Sequence, residues 1–318
     1  MTMGQSVIQR VVLGVLLTCV TSASLGGQTV RVLSWNVSDS AWVKQAEASR
    51  AVLRHANPDV VVLVQVNRFI DDAGIRHMLS GLRGPSDTTW FISSGNSSGV
   101  EHTVIASRDS LRALAEFADV PFPTIGALAL RGAVPDSAHG VDATPGVRTN
   151  AAMVRVQGRW LMVVGVHLTC CGGTDTWREQ RRQLGAMTIA ARVRSVLPRE
   201  RPAGVIMAGD LNLVGGRASL DTLLAAVVAR PLGPMRRAEA LHLDGWTDWT
   251  WDGLGSAFNG GRLDNIIYSA GSLDVRRALV LDTEDMSVDS LRVHQLATGT
   301  SRSINRHRPV VVDFTFAR

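Results

Sequence analysis

From residue 28 onward the chain alternates short apolar runs with polar stretches. Residues 30–37, 60–66, 103–107, 151–156, 160–167, 204–208, 263–269, 275–281 and 310–316 are rich in β-branched residues. Most of these runs are continuously apolar rather than alternating, which predicts strands buried on both faces of a sheet. Gln157-Gly158, between two of them, reads as a tight hairpin turn. Helical spacing is found at 41–55, 70–82, 176–197 and 220–228, with Ser219 placed to cap the last. Residues 82–99 and 133–146 are rich in Gly, Pro, Ser and Asp and read as surface loops. No repeat or long linker interrupts the pattern. The expectation is one α/β domain over residues 28–318.

The first 27 residues have a different character. Arg10 is their one charge, residues 11–20 are apolar, and Thr21-Ser22-Ala23 offers small residues for cleavage. This is the layout of a secretory signal peptide, so a secreted or periplasmic protein is expected. The apolar run is short for a bilayer-spanning anchor. Thr18 before Cys19 disfavours a lipoprotein.

Composition narrows the class. The chain has 318 residues, 45% of them hydrophobic and 19% charged, which suits a folded core rather than disorder. Three Cys exclude a disulfide-stapled miniprotein, and the lack of further long apolar runs excludes a multi-pass membrane protein. The net charge is +5, and Lys44 is the sole lysine, so almost all of the basic residues are Arg. Arg grips phosphate with a planar fork, which invites a polyanionic partner. No dense basic run or aromatic stacking run marks a nucleic-acid tail or groove. Cys170 and Cys171 stand side by side in HLTCCGG. They suit a structural turn closed by a vicinal disulfide; free thiols and metal ligands are the alternatives.

Polar residues arrive abruptly where the apolar strands end. Asn36 closes VRVLSWNV, Gln65 and Asn67 close VVVLVQVN, and His167 closes LMVVGVH. Asp210 and Asn212 follow GVIMAG, Asp264 sits in GGRLDNIIYS, and His307 in INRHRPVVVDF. Strand ends at one edge of a sheet are where sites are built.

The segments SWNV, PDVVVLVQV, TVIASR, VVGVHL, MAGDLNLV, DWTWDG, RLDNIIYS and HRPVVVDF run from residue 30 to 316. In that order they resemble the endonuclease/exonuclease/phosphatase superfamily, whose fold is deoxyribonuclease I-like. GDLN, RLD and HRPVVVDF carry the resemblance most strongly. It implies an α/β (α+β) four-layer sandwich of two mixed β-sheets flanked by helices. It also implies a cleft at one end of the sandwich and in-line hydrolysis of a phosphoester with magnesium or manganese. Asp210 then corresponds to the residue that orients or deprotonates the attacking water, and Asn212 to its phosphate-binding neighbour. His307 corresponds to the histidine of the closing motif, with Asp264 as its carboxylate. His167 matches a second histidine of many members, and Asn36 a residue near the metal.

Two positions depart from the family pattern. Gln65 stands where the family has its main metal-binding glutamate, and Arg306 replaces the aspartate of the closing serine-aspartate-histidine motif. Magnesium prefers hard anionic oxygens, so the metal side is weakened; the resemblance implies magnesium or manganese, and a site that works without a metal is the alternative. Arg306 then becomes a candidate phosphate ligand, while Gln65 is at most a weak metal ligand. Two functions follow. One is a secreted phosphodiesterase acting on nucleic acid, phospholipid or a similar headgroup. The other is a catalytically weak phosphate-binding protein on the same scaffold. No stable protein partner is implied, and a membrane enters only through a lipid substrate. Trp246, Trp249 and Trp251 are expected to pack in the interior, and Arg148 to be solvated.

Overall fold

A computed structural model describes residues 29–96, 99–123 and 146–317. The leader, Cys19 and most of the expected 133–146 loop lie outside the described residues. Two six-stranded sheets form the body, with strands numbered in chain order. The first runs β11 (Leu273–Val280), β12 (Val310–Phe316), β1 (Val30–Asp39), β2 (Val60–Asn67), β4 (Glu101–Ser107), β3 (Phe91–Ser94). The second runs β5 (Leu111–Ala113), β6 (Arg148–Val156), β7 (Arg159–His167), β8 (Gly204–Asp210), β10 (Asp264–Ser269), β9 (Met235–Arg237). Both are mixed: β1 and β2 are parallel, as are β7 and β8, and the other pairs are antiparallel.

Side chains leave a strand on alternate faces, so one apolar run serves two cores. Ile206 and Ala208 of β8 pack between the sheets, while Val205 and Met207 pack outward under helices. In β1, Val30 and Val32 face the other sheet, and Leu33, Trp35 and Val37 face outward. Three cores therefore separate four layers, as the continuous hydrophobicity requires. One outer layer contains α1 (Ala41–Lys44), α2 (Ala46–Ala56) and α3 (Asp72–Leu79). The other contains α4 (Trp177–Glu200) and α5 (Ala218–Leu224). No helix among the described residues is long and apolar enough to cross a membrane.

Several local expectations need correction. The 41–55 helix is broken at Gln45, whose φ of −106° and ψ of 44° leave the helical region. Ser219 is not a cap: α5 starts at Ala218 after Arg217, and Ser219 is buried inside it. The 82–99 loop contains β3, an edge strand held by pairing with β4. Two short helices, α6 (Val288–His294) and α7 (Thr300–Ile304), carry too few turns to show a helical period. The Gln157-Gly158 hairpin is as expected, with φ of 51° and 77°, and Val156 faces Arg159 across it.

Candidate active site

Register gathers the site. Arg148 on β6 pairs with His167 on β7, His167 with Asp210 on β8, and Asp210 with Asp264 on β10. Four polar residues thus stand in one row across the second sheet, each about 4.8 Å from the next strand. The approach of β7 and β8 needs Gly209, with φ of 143°, because a Cβ there would lie 1.9 Å from the Val166 carbonyl oxygen. Only glycine meets both demands.

Asp210 is held from two sides. Its Oδ1 accepts the backbone N–H of Asn212 at 2.8 Å, and its Oδ2 accepts Asn36 Nδ2, from the facing sheet, at 2.9 Å. Asn36 Oδ1 is occupied by the Ser38 N–H. Asn212 adopts φ of 47°, which Asn tolerates, and donates to the Leu168 carbonyl at 3.0 Å.

Two histidines flank this carboxylate, each with its own acid. His307 Nδ1 lies 2.8 Å from Asp264 Oδ2. Thr250 Oγ1 donates to the same oxygen at 2.8 Å and accepts the Asp264 N–H at 2.8 Å. Burial pushes the Asp264 carboxyl up, and neighbouring Asp210 adds to this while His307 opposes it. Burial pulls His307 down, but the charges of Asp264 and Asp210 outweigh it, so its pKa is raised. On the other side, His167 Nδ1 lies 2.9 Å from Glu101 Oε1, and its Nε2 is 4.0 Å from Asp210 Oδ2. Glu101 also pairs with Arg148 Nε at 3.0 Å. Burial pushes Glu101 up, yet His167, Arg148 and His102 together pull it down to about 2. Arg148 is therefore an ion-pair member rather than a solvated side chain.

The loop after His167 is anchored from below. Arg182, fully buried in α4, donates to the carbonyls of Thr169 at 3.0 Å and Cys171 at 2.7 Å and pairs with Glu179. Cys170 and Cys171 are joined as a disulfide, so the turn reading holds. With Asn212, Leu213, Trp251, Phe258 and His307 they line a cleft of about 470 Å³. Trp251 thus faces the cleft instead of packing in the interior, and Trp246 is 89% exposed.

Among the described residues no side-chain hydrogen bond ties the two departing residues into this network. Gln65 sits at a register irregularity of β2 with φ of 59°, next to the Asn36–Val64 pair of β1 and β2. A bulge re-aims a side chain, and a non-glycine residue held in the left-handed region is a feature of functional sites. Arg306 is exposed, with its guanidinium against Gly255 in the loop that walls the cleft. The neighbouring Asn305 faces inward: its Nδ2 donates to the Asn36 carbonyl at 3.2 Å and its Oδ1 accepts the His307 N–H at 2.5 Å.

The residues present fit a divalent cation. Ligand atoms of Asp210, Asp264 and His307 lie within 4.8 Å of one another, and Asp264 Oδ1 is a buried oxygen without a hydrogen-bond partner. Two carboxylates give the hard oxygens that magnesium or manganese takes. Of the two departing residues, Gln65 has a neutral amide oxygen in place of a carboxylate and Arg306 has no acceptor.

The sequence from residue 33 to 287 matches the model of the endonuclease/exonuclease/phosphatase family. The chain belongs to that family. No curated protein matches it in sequence. Among solved structures, the human Nocturnin catalytic domain with bound sulfate is 16% identical, with a TM-score of 0.57 over 91% of this chain and 95% of that one. A family protein from Bacteroides thetaiotaomicron is 15% identical, with a TM-score of 0.57 over 92% and 99%. The D. rerio TDP2 complex with a single-strand DNA product is 15% identical, with a TM-score of 0.54 over 90% and 99%. These likenesses show the fold: two mixed sheets flanked by helices.

Sequence reading missed Glu101, Thr250, Asn305 and Arg182 as members of the network. Glu101 had one local signal, a carboxylate at the head of the apolar run HTVIAS. Its effect is testable through pH. A lowered carboxylate stabilises the fold above about pH 4.5, and that contribution is lost as pH falls through about 2. Glu101→Gln is expected to cost about 3 kcal/mol at neutral pH and to flatten the acid limb of stability between those values. Melting temperatures measured from pH 7 to pH 2 check this; parallel curves for the two proteins would remove Glu101 as the stabilising anion.

Proposed function

We propose that this chain is an exported phosphodiesterase that hydrolyses its substrate by in-line attack of water. The observation that carries the reading is buried Asp210 set between two histidines, each backed by its own carboxylate, with His307 and Asn212 lining the cleft beside it. Asp210 orients and deprotonates the water. Asn212 donates to a phosphate oxygen. His307, its pKa raised by Asp264, donates to the leaving oxygen, and His167 stabilises charge on the phosphoryl group. Arg306 on the rim adds a phosphate contact. A bound magnesium or manganese ion, held by Asp210 and Asp264, would neutralise developing negative charge.

The metal side is the atypical part. Turnover of bis-p-nitrophenyl phosphate, with magnesium, manganese or chelator, is the direct test. The wild type is expected to require high metal concentrations, and Gln65→Glu to lower the half-activating concentration about tenfold by adding an anionic oxygen. Adding Arg306→Asp should lower it further. Tight activation of the wild type, unchanged by Gln65→Glu, would sink the weakened-site reading. Absence of turnover under every condition, with inorganic phosphate still bound, would favour the phosphate-binding protein that Gln65 and Arg306 also suggest. Export predicts a mature N-terminus near residues 23–27, and N-terminal sequencing of secreted material that begins at Met1 would refute it.

A further inference from the structure

The disulfide between Cys170 and Cys171 joins residues adjacent in the chain. A disulfide stabilises a fold chiefly by restricting the unfolded chain, and more so the longer the loop it closes. One between neighbours closes almost no loop, so global stability does not account for it. Its effect is local: it ties two side chains and the peptide bond between them into one small ring. That ring stands at the cleft, which both cysteines line together with Asn212 and His307. Cys170 is exposed and Cys171 half-buried, so the pair is within reach of reagents in solution.

The segment that carries the ring also supports the phosphate-binding side chain. Asn212 Nδ2 donates one of its two hydrogens to the Leu168 carbonyl at 3.0 Å, which leaves the other for a phosphate oxygen. The Leu168 N–H in turn donates to the Asp210 carbonyl at 2.9 Å. Beyond Leu168 the backbone is fixed by Arg182, through the carbonyls of Thr169 and Cys171. Burial lowers the pKa of Arg182, while the charges of Glu179 and Asp210 raise it, so this anchor is within electrostatic reach of Asp210. At the anchor the chain leaves the common backbone regions, with φ of 71° at Cys171 and 73° at Gly172. Glycine adopts that region freely and cysteine does not. The turn is also tight, since a Cβ at Gly172 would lie 2.5 Å from Thr176 Oγ1. Ring closure onto Cys170 keeps Cys171 in this conformation, and with it the carbonyl that Arg182 binds.

We infer that the Cys170–Cys171 disulfide is a positioning element for Asn212, and that its reduction by a dithiol weakens phosphate binding in the cleft. The inference rests on the phosphodiesterase reading, in which Asn212 meets a phosphate oxygen, and adds the pair that sets this contact. In the reduction, one thiolate of the dithiol attacks a cysteine sulfur and forms a mixed disulfide. Its second thiol then displaces that sulfur. The dithiol leaves as a cyclic disulfide, having given two electrons and two protons, and both cysteines become thiols. The ring opens, Cys171 is free to leave the left-handed region, and the run from Leu168 to Cys171 loses its fixed shape.

The full chain is compared before and after dithiothreitol, with thiols counted in an aliquot by alkylation and mass spectrometry. Reduction is expected to raise the KM for bis-p-nitrophenyl phosphate and the Kd for inorganic phosphate about tenfold, the loss of one hydrogen bond to a charged group. The value of kcat should stay within about threefold, because that contact is made in the ground state as well as in the transition state. The melting temperature should fall by less than about 3 °C, and reoxidation should restore both constants. Cys19 is the chain's one other cysteine, so Cys170→Ser with Cys171→Ser leaves no pair to bridge within the chain. That protein should reproduce the reduced constants and ignore the dithiol; where the wild type resists reduction, it decides alone. In Asn212→Ala protein, reduction should change neither constant further, since the contact is already gone. Unchanged KM and Kd in the reduced and Ser proteins would overturn the inference, as would a full further loss in Asn212→Ala. So would two free thiols in the untreated protein, or a collapse of the melting temperature that accounts for the loss. Phosphate binding weakened by the dithiol without any turnover would reject the hydrolase and keep the positioning role. Turnover indifferent to the state of the pair would reject the positioning role alone.

Discussion

Asp210→Asn is expected to lower kcat on bis-p-nitrophenyl phosphate by about a hundredfold to a thousandfold while the chain stays folded. The substitution keeps the shape of the side chain and removes its charge and basicity. It also disturbs a two-sided hold, since both carboxylate oxygens accept hydrogen bonds, from the Asn212 N–H and from Asn36 Nδ2. An amide has only one acceptor oxygen. Asn36 cannot turn to compensate without abandoning the Ser38 N–H. One buried donor therefore loses its partner, at a cost of about 1–3 kcal/mol. That loss is opposed by relief of the repulsion that pushes the Asp264 carboxyl up. The melting temperature should fall modestly and the rate steeply. Turnover within a few-fold of wild type would remove Asp210 from the chemistry.

His307→Ala should reduce kcat by about two orders of magnitude, through loss of the group placed to protonate the leaving oxygen. It also strands Asp264, which is fully buried and then keeps only Thr250 as a side-chain partner. Asp264→Asn separates the two effects. His307 is raised because the charges of Asp264 and Asp210 overcome its burial, so wild-type activity should decline above the ordinary histidine range rather than within it. Removing the Asp264 charge should move that alkaline limb to lower pH and leave its shape intact. Stability follows the same sign: a raised histidine stabilises the fold fully below about pH 6.5, and the contribution is lost as pH rises through its raised value. An alkaline limb identical in Asp264→Asn and wild type would mean that another group sets it.

Much of the architecture was legible because burial is written locally. A strand covered on both faces must be apolar at every position, so residues 60–64 and 204–208 announce themselves without help from the rest of the chain. The polar residues that end such runs, His167, Asp210, Asp264 and His307, stand out against that background. The structure gathers these four side chains at one carboxylate, that of Asp210. Short helices such as α7 and the cap of α5 were not legible, because one or two turns carry no periodic signal and packing overrides local preference.

The sequence by itself determined nine of the twelve strands among the described residues, the layered class and the family, and left out the short edge strands β3, β5 and β9. Tertiary structure alone decided which acid serves which histidine. Glu101 reaches His167 because β4 and β7 lie in facing sheets, and Thr250 reaches Asp264 through a loop that returns beside β10. It also turned Asn305 inward and Arg306 outward, although they are adjacent in the chain. Such pairings depend on sheet order and register, which arise from packing between remote segments and leave no trace in local periodicity.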